Sequence, residues 1–153
     1  MYLCAALELA TRAIIGYKVR LNCDTSLVIN IIEQINNNFP SESILFHSDQ
    51  GSQFTSKEVV NKIQAHHLIQ SMPRKGNCRD NTVIESFFSS LKQEELKWHT
   101  CHSLLQGERI IREYIEDYYM VIRPHTSLGG VSSIQYILNK NLSTKTQKLT
   151  QRK

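Results

Sequence analysis

The order of apolar and polar positions predicts a β-hairpin followed by a helix at the start of the chain. Two short apolar runs, Tyr2 to Leu9 and Ala13 to Val19, are separated by Ala10-Thr11-Arg12, a pattern typical of two antiparallel strands joined by a turn. Asp24-Thr25-Ser26 then offers helix-capping residues, and apolar positions spaced by three and four follow from Leu27 to Ile35. This spacing predicts an amphipathic helix that ends in the asparagine run before Pro40.

Strands and helices continue to alternate in the rest of the chain. Ser43 to His47 and Leu68 to Met72 are short apolar runs that predict strands, and Thr55-Ser-Lys-Glu58 is a capping box that predicts a helix between them. An apolar stripe predicts a helix from Thr82, and a longer one is predicted from about Ser103 to Ile122. This order indicates a mixed α/β sheet covered by helices, which by itself fits several folds.

Composition indicates one domain with a basic tail. The chain has 153 residues, of which 41% are apolar and 21% charged, as is ordinary for a globular protein. Few large apolar residues follow Asn139, so we expect a core over 1–138 and a disordered tail over 139–153. The tail holds five basic residues and the whole chain has a net charge of +4, so the preceding body is near −1. Bulk charge therefore gives no argument for DNA binding.

Other composition features exclude several protein classes. Four scattered cysteines form no Cys-x-x-Cys pair, so neither a zinc ribbon nor a disulfide framework is indicated. No apolar run approaches the roughly 18 residues that a membrane span needs, and the start of the chain lacks the pattern of a signal peptide. We therefore expect a cytoplasmic protein with no membrane partner and no small-molecule cofactor.

Two carboxylates stand out as candidates for chemistry. Asp49 ends a short apolar strand, Glu85 lies one turn into a helix after a basic loop, and 35 residues separate them. Open α/β sheets build their sites beyond strand ends. The structural alternatives are that Asp49 is a turn residue and that Glu85 belongs to a capping box opened by Thr82. The residues alone leave both interpretations open.

Three ordered blocks carry a resemblance to a known family. They are FHSDQGSQFTS from Phe46 to Ser56, QSMPRKGNCRDNTVIESFFSSLKQE from Gln70 to Glu94, and YMVIRPHTSLGG from Tyr119 to Gly130. With YLCAALELATRAIIGY before them, the chain resembles, over roughly residues 2–136, the catalytic core of bacterial insertion-sequence transposases of the retroviral-integrase superfamily. The resemblance implies a ribonuclease-H-like mixed sheet with flanking helices, and it implies that the first strand is missing.

The resemblance also implies metal-assisted phosphoryl transfer on DNA by an Asp, Asp, Glu triad. Asp49 and Glu85 are the expected catalytic residues and the ligands of Mg²⁺, with Mn²⁺ as an alternative, because hard cations prefer carboxylate oxygen. Lys92 lies seven residues after Glu85, which returns it to the same helix face. The full set expected to contact DNA is Arg74, Lys75, Arg79, Lys92, Arg123 and His125.

The family's first catalytic aspartate is expected about a dozen residues before the position of Tyr2. We therefore expect an incomplete two-metal site and a partial transposase core that is inactive alone. Glu8 matches a family position that is not the catalytic one. One alternative is a non-catalytic DNA-binding or assembly module that pairs with an intact transposase, and a weaker one is a simple nuclease. Expected partners are DNA and an intact transposase or a second copy, at the nucleoid.

Overall fold

A computed structural model describes residues 1–40, 43–73 and 81–150, with side chains as far as residue 142. Within these residues the strands are β1 (Tyr2–Leu7), β2 (Ile14–Arg20), β3 (Leu45–His47) and β4 (Ile69–Ser71). The α-helices are α1 (Thr25–Asn38), α2 (Lys57–Ala65), α3 (Thr82–Glu94), α4 (Leu104–Glu113) and α5 (Ser133–Thr150). A π-helical segment, Tyr114–Tyr119, continues directly from α4, so the long helix expected near Ser103 to Ile122 is confirmed with a change of winding.

The predicted hairpin is confirmed, and the carboxylate of Glu8 holds its turn. β1 and β2 pair antiparallel, from Tyr2 opposite Arg20 to Leu7 opposite Ile14. The Glu8 carboxylate accepts hydrogen bonds of 2.8 Å from the backbone N–H groups of Ala10 and Thr11. Partial burial raises the pKa of Glu8, but the hydrogen bond from the Thr11 hydroxyl and these two backbone bonds outweigh it and lower the pKa below its usual value. Glu8 therefore serves the turn rather than a catalytic centre.

The strands form two separate pairs in the described part of the chain. β3 and β4 pair parallel, with Leu45 opposite Ile69 and His47 opposite Ser71, and α2 makes the crossover. The described sheets are β1–β2 and β3–β4, each with two strands. Antiparallel and parallel pairs with flanking helices agree with the mixed α/β class, but the expected single sheet is divided between β1 and β3.

β1 lies between two apolar clusters. The first joins β2, α3, α4 and the π-helical segment, and the second joins α1, α2 and β3. Side chains alternate along β1, so Leu3, Ala5 and Leu7 pack against the first cluster and Cys4 and Ala6 against the second. This alternation is the period of two that a strand imposes. Both faces of β1 are therefore covered by apolar side chains.

Helix caps agree with the sequence for α1 and differ for α2. The Asp24 carboxylate accepts a hydrogen bond of 3.2 Å from the Leu27 N–H, as the capping pattern predicts. The cap of α2 is Ser56, whose hydroxyl accepts from the Val59 N–H at 3.3 Å. The prediction that Thr55 opens this helix is wrong by one residue, because the Thr55 hydroxyl instead donates to the carbonyl of Gly51 at 3.4 Å.

The last described helix continues past Asn139 into the segment expected to be a tail. α5 runs from Ser133 to Thr150, so the described part of that segment is helical. Ile134, Leu138 and Leu142 recur at the four-residue spacing of one helix face, and Lys, Gln and Leu are good helix formers. Nowhere in the described ranges is a helix both long enough and apolar enough to cross a membrane.

Candidate active site

Asp49 lies where β3 ends, and the turn after it orients its carboxylate. The Ser48 N–H donates to the Ser71 carbonyl at 3.1 Å, so pairing with the β4 side continues up to the residue before Asp49. Oδ1 of Asp49 then accepts from the Gly51 N–H at 2.9 Å. A Cβ at position 51 would come within 2.9 Å of that oxygen, so a larger residue there would displace the Asp49 carboxylate from its present position. Asp49 is an exposed turn residue at a strand end, which is compatible with either of its two interpretations.

Glu85 is exposed in the first turn of α3, and the capping box proposed as its alternative role is displaced. The N-cap of α3 is Asn81, whose side chain makes no capping hydrogen bond to the described residues. Thr82 is the first helical residue rather than the cap. A capping box needs its hydroxyl at the cap and its glutamate three residues on. Favourable interaction with the helix dipole remains a structural role for Glu85.

The end of β3 and the start of α3 face a common cavity. This cavity has a volume of about 730 Å³, and its lining includes Asp49 together with Asn81, Val83 and Ile84 of the turn that carries Glu85. Cys4 of β1 also lines it, and burial, Cys23 and Asp49 together raise the pKa of the Cys4 thiol to about 11. The cavity thus brings the strand end and the helix start to one region, as expected from the positions of Asp49 and Glu85, although Glu85 itself is not among the lining residues.

Lys92 shares an unbroken helix with Glu85. α3 continues through both positions, and Lys92 is exposed near its carboxyl end. At about 100° per residue, seven residues bring Lys92 to within roughly 20° of the direction of Glu85, about 10 Å along the axis. A phosphate-bearing strand running along this face would meet both side chains. The DNA contact of Lys92 stays a prediction.

Arg123 is engaged within the protein. Its guanidinium donates to both carboxylate oxygens of Glu94 at distances from 2.9 to 3.1 Å and to the Ser90 hydroxyl at 2.9 Å. It also lies 5.8 Å from the centroid of the Tyr119 ring. The Tyr114 hydroxyl donates to the same Glu94 carboxylate at 2.8 Å. These contacts join the end of α3 to the π-helical segment and favour a supporting role over the expected DNA contact.

His125 is buried, at 8% exposure. Its ring meets the Tyr119 ring edge to face with centroids 4.9 Å apart, and its Nε2 lies 3.5 Å from the Ser133 hydroxyl. Burial is the main cause that lowers the pKa of His125 below its usual value. The His125 ring is thus held by packing within the protein, and its expected DNA contact stays a prediction. Nothing in the sequence indicated that Glu94 would accept hydrogen bonds from both Arg123 and Tyr114.

The remaining site predictions concern residues that the structure does not describe. Arg74, Lys75 and Arg79 fall in the range 74–80, outside the described residues. Among the residues that are described, no group of three or more His, Cys, Asp or Glu side chains is arranged to hold a metal ion. Asp49 and Glu85 are hard oxygen donors of the kind Mg²⁺ prefers, so the donor chemistry fits that ion. Their role as metal ligands stays a prediction.

The architecture is that of an integrase catalytic core. It resembles the catalytic core domain of BIV integrase with a TM-score of 0.65 and 16% identity, covering 94% of this chain and 89% of that one. A second solved structure, the simian T-cell lymphotropic virus intasome in complex with the PP2A regulatory subunit B56 gamma, gives a TM-score of 0.69 at 11% identity, over 88% of this chain and 47% of that one. These likenesses confirm the ribonuclease-H-like fold class.

The chain belongs to the integrase core domain family: two family profiles with that description match residues 1–78 and 66–132. It is 34% identical over 137 residues to the putative transposase InsK for insertion sequence element IS150 of Escherichia coli strain K12, covering 89% of this chain and 48% of that protein. Transposase InsF for insertion sequence IS3A of the same strain is 31% identical over 94% of this chain and 50% of its own length. The chain therefore spans about half the length of these relatives.

Proposed function

We propose that this chain is a partial transposase core whose Asp49 and Glu85 carboxylates take part in metal-dependent phosphoryl transfer on DNA. One observation carries the proposal: Asp49 at the carboxyl end of β3 lines a cavity together with Asn81, Val83 and Ile84, which are close neighbours of Glu85 at the start of α3, although Glu85 itself is outside that lining. Carboxyl ends of strands are where α/β sheets build their sites. The insertion-sequence relatives support DNA as the substrate.

Asp49 and Glu85 would hold the divalent cation, and the turn at Gly51 orients the carboxylate of Asp49 through a 2.9 Å hydrogen bond. A bound pair of cations supplies activation of the attacking oxygen and stabilisation of the leaving oxygen. Lys92 binds a phosphate on the same face of α3 and so fixes the direction of the DNA strand. We assign Arg123 and His125 to holding α3 in place through Glu94, Ser90 and Tyr119.

We further propose that the 153-residue chain is inactive by itself. Asp49 and Glu85 would supply two carboxylates, and a pair of cations that activates the attacking oxygen and stabilises the leaving oxygen would need a further shared ligand. The expected deficit is at least about 10³-fold in strand transfer, equivalent to about 4 kcal/mol of activation barrier.

The metal site is tested directly by Mn²⁺ titration of ¹⁵N-labelled protein. Paramagnetic broadening should concentrate on amides near Asp49 and Glu85 and should disappear in Asp49→Asn and Glu85→Gln. Asp117→Asn is the matched control, because Asp117 is an exposed acidic residue of the π-helical segment, none of whose residues line the cavity. Broadening that is unchanged in both site variants would overturn the assignment.

Activity is tested with the chain alone and with a version extended by a relative's upstream segment that carries an aspartate. Supercoiled plasmid nicking and strand transfer in Mg²⁺ or Mn²⁺ should be absent in the first and present in the second, and Asp49→Asn should abolish the gain. Robust cleavage by the chain alone, lost on Asp49→Asn, would refute the proposed inactivity, and Glu8→Gln would then be the next variant.

A second candidate function is a non-catalytic module that binds DNA or assembles with an intact transposase. It is the alternative that the residues of the chain left open beside the catalytic one. This function predicts that Asp49→Asn and Glu85→Gln leave DNA affinity and association with an intact transposase unchanged and that the extended version gains no activity. The plasmid assay therefore separates the two functions.

A further inference from the structure

The outer edge of β2, on the side away from β1, is covered at one residue by a side chain of α1. The Tyr17 N–H donates to Oε1 of Gln34 at 3.1 Å, and the Tyr17 carbonyl accepts from Nε2 of the same amide at 3.0 Å. A neighbouring antiparallel strand makes this same pair of bonds with its backbone. The Gln34 amide therefore occupies the place of one peptide group beside β2.

The next outward-facing residue of β2 has no such cover. Hydrogen-bonding groups alternate between the two sides of an antiparallel strand, so Val19 also directs its N–H and carbonyl away from β1. Within residues 1–40, 43–73 and 81–142, no group hydrogen-bonds to either of them. Val19 is only 3% exposed, and buried backbone groups without a partner are rare in folded proteins. The two groups therefore indicate an occupant that carries both an acceptor and a donor.

Val19 lines a groove that we call the β2-edge groove. Its volume is about 820 Å³, and its lining comes from β2, from Gln34 of α1 and from one side of α4, which contributes Leu105 and Arg112 among others. Leu105 is 76% exposed although it is apolar. The groove therefore offers an apolar contact in addition to the open backbone groups of Val19.

The charges of the β2-edge groove favour an acidic occupant. The two carboxylates among the lining residues are already engaged. Glu108 pairs with the Lys18 ammonium at 3.4 Å, and Glu116 accepts a hydrogen bond of 2.5 Å from the Tyr17 hydroxyl. None of the ion pairs between described side chains involves Arg112. The planar fork of an arginine without an acidic partner suits a carboxylate from another molecule.

The spacing of these features suits an extended chain. Leu105 and Arg112 both line the groove and lie seven residues apart on α4, which is about 10 Å along the helix axis. An extended chain covers this distance in about three residues, at about 3.3 Å each. A helical occupant would have its backbone groups bonded to one another and could not pair with Val19.

We propose that the β2-edge groove binds an extended acidic segment of a partner protein, which pairs with Val19 through its backbone and with Arg112 through a carboxylate. The segment continues the edge that the Gln34 amide begins, and one of its apolar side chains packs on Leu105. This interaction is separate from the proposed metal site, because neither Asp49 nor Glu85 lines the groove.

The test is an NMR titration of the ¹⁵N-labelled 153-residue chain with a synthetic peptide, acetyl-Thr-Leu-Thr-Thr-Glu-Thr-amide. The Val19 amide proton should move downfield, as expected for a newly formed hydrogen bond. The amide protons of Lys18 and Arg20, which face β1, should not shift in this way. A copy of the peptide that is N-methylated at its two central residues is the matched control and should bind at least about tenfold more weakly, because it lacks backbone donors.

Two protein variants separate the charge contact from general electrostatic attraction. Arg112→Ala should weaken peptide binding at least about tenfold. Lys57→Ala is the matched control, because it also removes an exposed positive charge but lies in α2, outside the groove lining, and it should leave binding unchanged. A peptide with Gln in place of Glu should lose the same factor on the original chain and nothing further on Arg112→Ala, as a double-mutant cycle requires.

Gln34→Ala gives an independent measurement of the backbone contact. It uncovers the N–H and carbonyl of Tyr17, so the peptide should then shift the Tyr17 amide proton downfield as well as that of Val19. An unchanged Val19 signal at millimolar peptide, or equal binding by the N-methylated copy, would overturn the proposal. A Val19 shift that grows with protein concentration alone would overturn it in favour of a second copy. A shift caused by a short DNA duplex and not by the peptide would overturn it in favour of nucleic acid.

Discussion

Arg123→Ala is expected to destabilise the protein rather than to weaken its contact with DNA. The guanidinium donates to both oxygens of Glu94 and to Ser90, and the Arg123 and Glu94 side chains are only 24% and 32% exposed. Hydrogen bonds to charged groups contribute about 1.5–3 kcal/mol when buried, and exposed ion pairs contribute about 0–1 kcal/mol. This half-buried, bidentate pair should fall between them, with a coupling energy of about 1–2 kcal/mol.

The measurement is a double-mutant cycle of Arg123→Ala and Glu94→Ala by urea unfolding followed by circular dichroism. A coupling energy of that size corresponds to roughly 2–8 °C in Tm for a domain of about 150 residues. Arg109 and Glu113 form the matched control pair, because they lie 3.7 Å apart with side chains 63% and 55% exposed. Their cycle should give about 0.3–0.5 kcal/mol.

Arg123→Lys sharpens the distinction between support and DNA binding. Lysine keeps the charge but not the planar fork that holds both oxygens of Glu94, so most of the stability should be lost while phosphate attraction is retained. A coupling energy no larger than that of Arg109 and Glu113 would refute the reasoning. An Arg123→Ala protein of full stability but reduced DNA affinity would instead support the contact that the sequence predicted.

Four further outcomes are expected. Lys92→Ala should reduce the salt dependence of DNA binding from a log–log slope of about −4 to about −3, measured by fluorescence anisotropy, because one phosphate contact is lost. Burial lowers the pKa of His125 in the folded state below its usual value of 6.5. The unfolding free energy should therefore fall as the pH drops below 6.5, because the unfolded state then binds a proton that the folded state does not. His125→Gln should flatten this pH dependence in urea titrations. Phe87→Ala, at a side chain 1% exposed, should cost about 3–5 kcal/mol in the same assay. Asp49→Asn should leave the unfolding free energy within about 0.5 kcal/mol, as for an exposed residue, although a larger loss would assign Asp49 to the turn.

Local patterns in the sequence determined the elements that depend on neighbouring residues. The hairpin around Glu8 follows from two short apolar runs, and α1 follows from Asp24 and the three-to-four spacing after it. Such features are encoded within a few positions because strand and helix periods repeat locally. The ordered blocks around Asp49 and Glu85 were enough to predict the integrase family, which the comparisons confirm.

Only the tertiary structure decided how distant segments meet. Arg123 pairs with Glu94, which lies 29 residues earlier in the chain. The burial of His125 and the cavity lined by β1, β3 and α3 likewise depend on how distant segments pack together. A charged side chain in a sequence does not reveal whether its partner is a phosphate or a carboxylate of the same chain. That choice depends on which groups packing brings within about 3 Å, the distance over which a hydrogen bond forms.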